Sequence, residues 1–64
     1  MTILVNGETQ PMASDVAALL QRMSLADAIV ATALNGRFVA VSARSATPLQ
    51  PGDRVEILAP MQGG

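Results

Sequence analysis

The side chains that usually carry enzyme chemistry are missing from this 64-residue sequence. It contains no histidine, cysteine, lysine, tyrosine or tryptophan. General acid–base catalysis near neutral pH, Schiff-base formation and thiol attack depend on residues of these types. The serines have no histidine or lysine that could activate a hydroxyl group. The sequence therefore offers no catalytic residue, and catalysis by this chain alone is not expected.

The remaining polar residues do not form a ligand site that can be recognised from their spacing. The five carboxylates are spread over separate segments without a histidine or cysteine beside them, so no metal site is expected. The glycines form neither a GxGxxG nor a GxxxxGK pattern, so this chain is expected to bind no nucleotide or other cofactor. The net charge is −1 and the four arginines are scattered, which argues against nucleic acid as a partner.

One chemical group is left, at the end of the sequence Met61-Gln62-Gly63-Gly64. Two residues without Cβ can lie in a channel too narrow for any side chain, where another enzyme could reach the carboxylate of Gly64. An α-carboxylate has a reference pKa of about 3.3–3.7 and is a poor electrophile at neutral pH, so an ATP-using partner would have to activate it. The simpler alternative is a frayed terminus, where glycine is common.

Local patterns in the first half predict two strands and a helix. The stretch TILVNGETQ predicts a hairpin with Asn6-Gly7 as its two-residue turn and Pro11 as the end of its second strand. A helix is predicted over residues 15–23, with Ser14 as its N-cap and Asp15 in the first turn. Its apolar face has the i, i+3, i+4, i+7 spacing and consists of Val16, Leu19, Leu20 and Met23.

The second half predicts three strands. IVATAL and RFVAV flank another Asn-Gly turn, at Asn35-Gly36, and RVEILA forms a last strand ended by Pro60. The segment SARSATPLQPGD between them is expected to be irregular. The order β-β-α-β-β-β predicts an α+β domain of the β-grasp type over residues 1–60, with the helix packed on one mixed sheet and a flexible tail over residues 61–64. An antiparallel meander with a helix is the alternative.

Strand alternation predicts which side chains face the core. In the last strand Val55 and Ile57 share one face and leave Leu58 on the other, and in the first strand Ile3 and Val5 leave Leu4 outward. If these strands are neighbours, Leu4 and Leu58 form an apolar spot on the open sheet face, joined by Phe38 or Val39. Such a spot could be a docking face for a partner, or these could be isolated surface side chains of the ordinary kind.

The stretches ALNGRFVAVSARSATPL and LQPGDRVEILAPMQGG strongly resemble the ThiS family of sulfur carrier proteins in thiamine biosynthesis, a ubiquitin-like β-grasp group. The resemblance covers essentially the whole chain, and its most specific part is the combination of GDxVEI with a terminal diglycine. It implies that a ThiF-like enzyme uses ATP to adenylate Gly64, that a sulfur donor enzyme supplies sulfur for a thiocarboxylate, and that a ThiG-like thiazole synthase receives it. Gly63, Gln62 and Met61 would form the arm that enters the partners' active sites.

Three other functions remain open at this point. The small subunit of molybdopterin synthase also ends in a diglycine thiocarboxylate, although the PMQGG ending and the short chain favour the thiamine assignment. A ubiquitin-like protein modifier is possible, although a chain without lysine cannot form lysine-linked chains on itself. In a plain interaction module, the sheet face would bind a partner and the tail would be incidental.

The sequence also sets expectations about stability and location. A domain of this size is expected to be marginally stable, by about 3–5 kcal/mol. No segment has the length of a membrane span, and the N-terminus lacks the features of a signal peptide. We therefore expect a cytoplasmic protein that is monomeric when free.

Overall fold

The computed structural model describes residues 1–59, which form a five-stranded sheet, one α-helix and one 3₁₀ helix. The order of elements along the chain confirms the predicted β-β-α-β-β-β arrangement. The elements are β1 (Thr2–Val5), β2 (Glu8–Pro11), α1 (Val16–Arg22), β3 (Ala31–Leu34), β4 (Arg37–Val39), the 3₁₀ helix (Val41–Ala46) and β5 (Arg54–Leu58). The predicted domain boundary after residue 60 lies outside the described residues.

The sheet is mixed, with the strand order β2-β1-β5-β3-β4. β1 and β5 run parallel and pair Leu4 with Arg54 and Val5 with Val55. The other pairs, β1 with β2, β3 with β4 and β3 with β5, are antiparallel. A meander of consecutive strands cannot place the first strand beside the last, so this pairing excludes the meander alternative. The last strand thereby occupies the centre of the sheet.

The core lies between α1 and one face of the sheet. In α1 the predicted apolar face is confirmed: Val16, Leu19 and Leu20 are buried and Met23 is half-buried. The sheet contributes Ile3, Val5, Val55 and Ile57, the side chains that strand alternation assigned to the core. The opposite face of the sheet carries no helix among residues 1–59.

Both Asn-Gly dipeptides form the predicted hairpin turns. Asn6 and Asn35 each have a φ of 50°, and Gly7 and Gly36 follow with φ of 83° and 85°. A turn with positive φ at both central residues matches the twist of the strands that it joins, and asparagine and glycine are the residues that tolerate it best.

The predicted helix cap is wrong by one residue. Asp15, not Ser14, is the N-cap: its backbone is extended and its carboxylate accepts a hydrogen bond of 2.7 Å from the amide of Ala18. The Ser14 hydroxyl instead contacts the Asp15 carboxylate at 3.5 Å. Serine and aspartate are equally good caps, so two of them in succession leave the first residue of a helix undetermined by sequence alone.

The second half shows three further differences from the predicted elements. β3 begins at Ala31 rather than at Ile29, because Ala31 pairs with Leu58, the last residue of β5, and no ladder continues beyond it. β4 ends at Val39, and the segment predicted to be irregular begins with a 3₁₀ helix. Val39 is buried on the core side, so it cannot join an apolar spot on the open face.

Candidate functional site

The candidate site is built around β5, the strand that leads into residues 60–64. A turn at Pro51-Gly52 sets its start, where the Asp53 carboxylate accepts a hydrogen bond of 2.8 Å from the amide of Gln50. The carbonyl of Asp53 then accepts a hydrogen bond of 2.9 Å from the amide of Leu4, which begins the parallel pairing with β1. The GD of the GDxVEI motif therefore fixes where β5 enters the sheet.

Both asparagines of the hairpin turns also hold β5, through their side chains. The Asn6 carboxamide forms two hydrogen bonds with the backbone of Ile57: the amide of Ile57 donates to Oδ1 at 2.8 Å, and Nδ2 donates to the carbonyl at 3.1 Å. The side chain thus continues the ladder of β1 beyond the last residue of that strand. It fixes the strand two residues before Ala59, the last described residue.

Asn35 binds the other end of the same strand. Its Oδ1 accepts a hydrogen bond of 2.9 Å from the amide of Arg54, and its Nδ2 donates one of 3.0 Å to the Asp53 carboxylate. Because Asn6 and Asn35 hold β5 from the two neighbouring strands, the strand is fixed at both ends. The Asn-Gly pattern predicted the turns, but nothing in it indicated this second role of the asparagine side chains.

The open face of the sheet carries the predicted docking residues. Phe38 is 74% exposed and Leu58 is 63% exposed, whereas Leu4 is half-buried. Phe38 pairs with Ala33 of β3, and Ala33 pairs with Glu56 of β5. Phe38, Ala33 and Glu56 thus lie in one row across this face, and the charged Glu56 interrupts its apolar surface at β5.

Leu4 and Leu58 do not form one compact spot. Leu4 lies opposite Arg54, four residues from Leu58 along β5, which corresponds to about 13 Å. The charged side chains of Arg54 and Glu56 lie on this face, because they alternate along β5 with Val55 and Ile57, which face the core. Leu4 and Leu58 nevertheless border the same shallow depression of about 540 Å³, which runs along β5 between the two Asn-Gly turns.

The remaining candidate residues, Met61, Gln62, Gly63 and Gly64, lie outside the described residues. Within residues 1–59 no group of three histidine, cysteine, aspartate or glutamate residues could hold a metal ion. None of the helices in this part of the chain is long and apolar enough to cross a bilayer.

Sequence reasoning missed Arg44, which is only 6% exposed. Its Nε donates a hydrogen bond of 3.1 Å to the hydroxyl of Thr32, and its Nη2 donates one of 2.7 Å to the carbonyl of Val30. The hydroxyl of Thr32 in turn donates to the carbonyl of Val39 at 2.8 Å. One buried guanidinium thus ties the 3₁₀ helix to β3 and to the segment before it. An arginine among four scattered ones gave no signal of this role.

Comparison with known proteins gives a consistent result. The chain matches the ThiS family over residues 2–64. It is similar to the crystal structure of a thiamine biosynthesis protein (ThiS) from Geobacter metallireducens, with 36% identity, a TM-score of 0.82 and full coverage of both chains. An NMR solution structure of a thiamine biosynthesis protein from the same organism gives 35% identity and a TM-score of 0.77, covering all of this chain and 88% of the other. No curated protein sequence matched the chain.

Proposed function

Since the chain belongs to the ThiS family, we propose that it is a sulfur carrier of thiamine biosynthesis whose Gly64 carboxylate is the group that carries sulfur. The observation that supports this most directly is the position of β5. The strand that leads to the diglycine lies at the centre of the sheet and is held at both ends by Asn6 and Asn35. A rigid body that presents a short arm suits a protein that is acted on by other enzymes.

The proposed chemistry has two steps, and both need a partner. A carboxylate oxygen of Gly64 attacks the α-phosphorus of ATP in a ThiF-like adenylating enzyme, which gives the acyl-adenylate and releases pyrophosphate. Sulfide (HS⁻) supplied by a sulfur donor enzyme then attacks the acyl carbon, and the C–O bond to AMP breaks, which releases AMP and a proton and leaves a thiocarboxylate. A ThiG-like thiazole synthase takes up that sulfur for the thiazole ring.

This chain would contribute positioning rather than catalysis. Gly63 and Gly64 lack a Cβ and can pass through a narrow channel, with Met61 and Gln62 completing the arm. Nucleotide and metal chemistry would belong to the adenylating enzyme.

The open face of the sheet is the proposed docking face for that enzyme. Leu4, Leu58 and Phe38 offer apolar contacts, and the alternating charges of Arg54 and Glu56 could set the register of the complex. Leu58→Glu should weaken the association with the adenylating enzyme, because it places a carboxylate in an apolar contact. Gln21→Glu on the exposed side of α1 adds the same charge and should leave the affinity unchanged. Equal affinities for the two variants would remove Leu58 from the docking face.

Removal of Gly64 tests the proposal most simply. When the full chain is mixed with ATP and the adenylating enzyme, pyrophosphate should be released from ATP. The shortened chain should support little release, although its melting temperature should equal that of the full chain. If the shortened chain is adenylated at the normal rate, Gly64 is not the reacting residue. Supplying the carrier with the partners of thiazole formation and, separately, with those of molybdopterin formation would show which pathway it serves.

A further inference from the structure

The two Asn-Gly dipeptides are positions where the chain can react with itself. Asparagine is a thermolabile residue, because the backbone nitrogen of the following residue can attack its side-chain carbonyl carbon. Glycine at that following position has no Cβ to hinder the approach. The chain has only two asparagines, Asn6 and Asn35, and a glycine follows each of them. Both dipeptides therefore carry the chemistry of deamidation, which the proposed function does not use.

The reaction at Asn35 has two steps. In the first, the amide nitrogen of Gly36 loses its proton and bonds to Cγ of Asn35, the Cγ–Nδ2 bond breaks, and ammonia leaves a succinimide ring behind. In the second, water adds to one of the two ring carbonyls and breaks its bond to nitrogen. Opening at Cγ gives aspartate, and opening at the backbone carbonyl gives isoaspartate, whose main chain has one additional carbon. The net change is hydrolysis of a carboxamide to a carboxylate and ammonium.

The two asparagine side chains are held by different kinds of hydrogen bonds. Both carboxamide atoms of Asn6 bind the backbone of Ile57, at 2.8 Å and 3.1 Å, and both bonds are partly buried. The carboxamide of Asn35 accepts from the amide of Arg54 at 2.9 Å and donates to the Asp53 carboxylate at 3.0 Å, and both of these bonds are exposed. A carboxamide must break such bonds before its Cγ can turn toward the glycine nitrogen.

This difference should make Asn35 the more reactive of the two. Water competes directly for exposed hydrogen bonds, whereas partly buried bonds are strengthened by the lower local dielectric. The side chain of Asn35 should therefore open more often than that of Asn6. The glycines do not differ, because no atom lies within 4 Å of a Cβ built on Gly7 or on Gly36.

Conversion of Asn35 would change the start of β5. The product replaces Nδ2, the donor to the Asp53 carboxylate, with a charged oxygen. The amide of Gln50 holds that carboxylate in place through a hydrogen bond of 2.8 Å, so two like charges would face each other. Isoaspartate would also lengthen the two-residue turn that sets the register between β3 and β4.

We propose that Asn35 is a site of spontaneous deamidation in the folded protein and that Asn6 is protected by its bonds to Ile57. Asn35 and Gly36 border the depression of about 540 Å³ that runs along β5, so the product adds a negative charge there. That the new charge alters a docking face rests on the proposed function, whereas the modification itself does not.

Incubation of the free carrier in mildly alkaline buffer, followed by mass analysis of tryptic peptides, tests the inference. Trypsin cleaves after arginine and separates residues 1–22, which contain Asn6, from residues 23–37, which contain Asn35. Deamidation raises the mass of a peptide, and a sample digested without incubation corrects for conversion during the digest. In the native protein Asn35 should be converted about fivefold faster than Asn6, equivalent to about 1 kcal/mol. In urea, where both side chains are released, the two rates should be similar.

Asp53→Ala removes the acceptor of Asn35 Nδ2 and should increase the ratio of the Asn35 rate to the Asn6 rate. The ratio is the readout because a global loss of stability accelerates both sites equally. Asp53→Asn keeps an oxygen acceptor at this position and should stay close to the wild-type ratio. Equal rates at the two sites in native buffer, or an unchanged ratio in Asp53→Ala, would overturn the inference. Neither result depends on the adenylating enzyme, so the proposed function is tested separately.

Discussion

Replacing Asn6 with glycine should loosen the end of β5 that precedes residues 60–64. Glycine keeps the positive φ of 50° that the turn requires, but it removes both hydrogen bonds to Ile57. Each such bond contributes about 0.5–1.5 kcal/mol net, so their loss costs about 1–3 kcal/mol. The backbone strain that glycine relieves at positive φ and the additional freedom that it gives the unfolded chain act in opposite directions and largely cancel.

In a domain of this size, each kcal/mol of lost stability lowers the melting temperature by about 4–8 °C. Circular dichroism during urea or thermal unfolding would measure the change in the free energy of unfolding. Amide hydrogen exchange followed by NMR would locate it, because the amide of Ile57 has Asn6 Oδ1 as its acceptor. Exchange at Ile57 should therefore accelerate more than exchange elsewhere in the core.

Asn35→Gly is the matched control, since Asn35 has the same φ and also binds β5 through its side chain. In that variant the amide of Arg54 should lose its protection while the amide of Ile57 keeps it. If Asn6→Gly were as stable as the wild type, or if both variants exposed the same amides, the Asn6 side chain would not be what holds this end of β5.

Three further predictions concern the fold. Asp15→Ala should lower the free energy of unfolding in urea by about 1 kcal/mol, because it removes the cap on the Ala18 amide. Ser14→Ala should lower it by less than about 0.5 kcal/mol. The reverse order would restore Ser14 as the cap. Leu19→Ala should lower the free energy of unfolding by about 2–5 kcal/mol, because the site is fully buried. Circular dichroism at 25 °C should then show that much of this marginally stable domain is unfolded. A cooperative transition close to that of the wild type would argue against this packing. Gly7→Ala should lower the free energy of unfolding by about 1–2 kcal/mol, because alanine is strained at the φ of 83° that this position has. Steric contacts add nothing, since no atom lies within 4 Å of the added Cβ. An unchanged melting temperature would show that the turn adjusts freely.

Local patterns were sufficient to predict the order of elements and the inward-facing residues of β1, α1 and β5. The Asn-Gly dipeptides marked both hairpins, and the spacing of Val16, Leu19 and Leu20 marked the helix, because these signals arise from backbone conformation and from burial of one face. The mixed sheet was predicted by assuming that the helix packs across a single sheet. The parallel pairing of β1 with β5 confirms that assumption.

The features that escaped prediction depend on contacts between distant parts of the chain. The Asn6 carboxamide meets Ile57 across 51 positions of sequence, and Arg44 meets Val30 across 14. No local pattern encodes such a pairing, and asparagine in a turn or arginine in a polar segment has an ordinary local explanation. The distance between Leu4 and Leu58 escaped prediction for the same reason. It depends on the register between β1 and β5 and not on alternation within either strand.

Alkylation of the carrier shows whether Gly64 carries sulfur. The protein would be incubated with ATP, the adenylating enzyme and a sulfur donor, treated with iodoacetamide and measured as an intact chain. Alkylation is needed because replacing oxygen with sulfur changes the mass almost as much as oxidation of one of the four methionines. A chain without cysteine should gain a single adduct, mapped to Gly64 and absent when ATP is omitted. Active partners that leave the carrier without this adduct would contradict the proposed function.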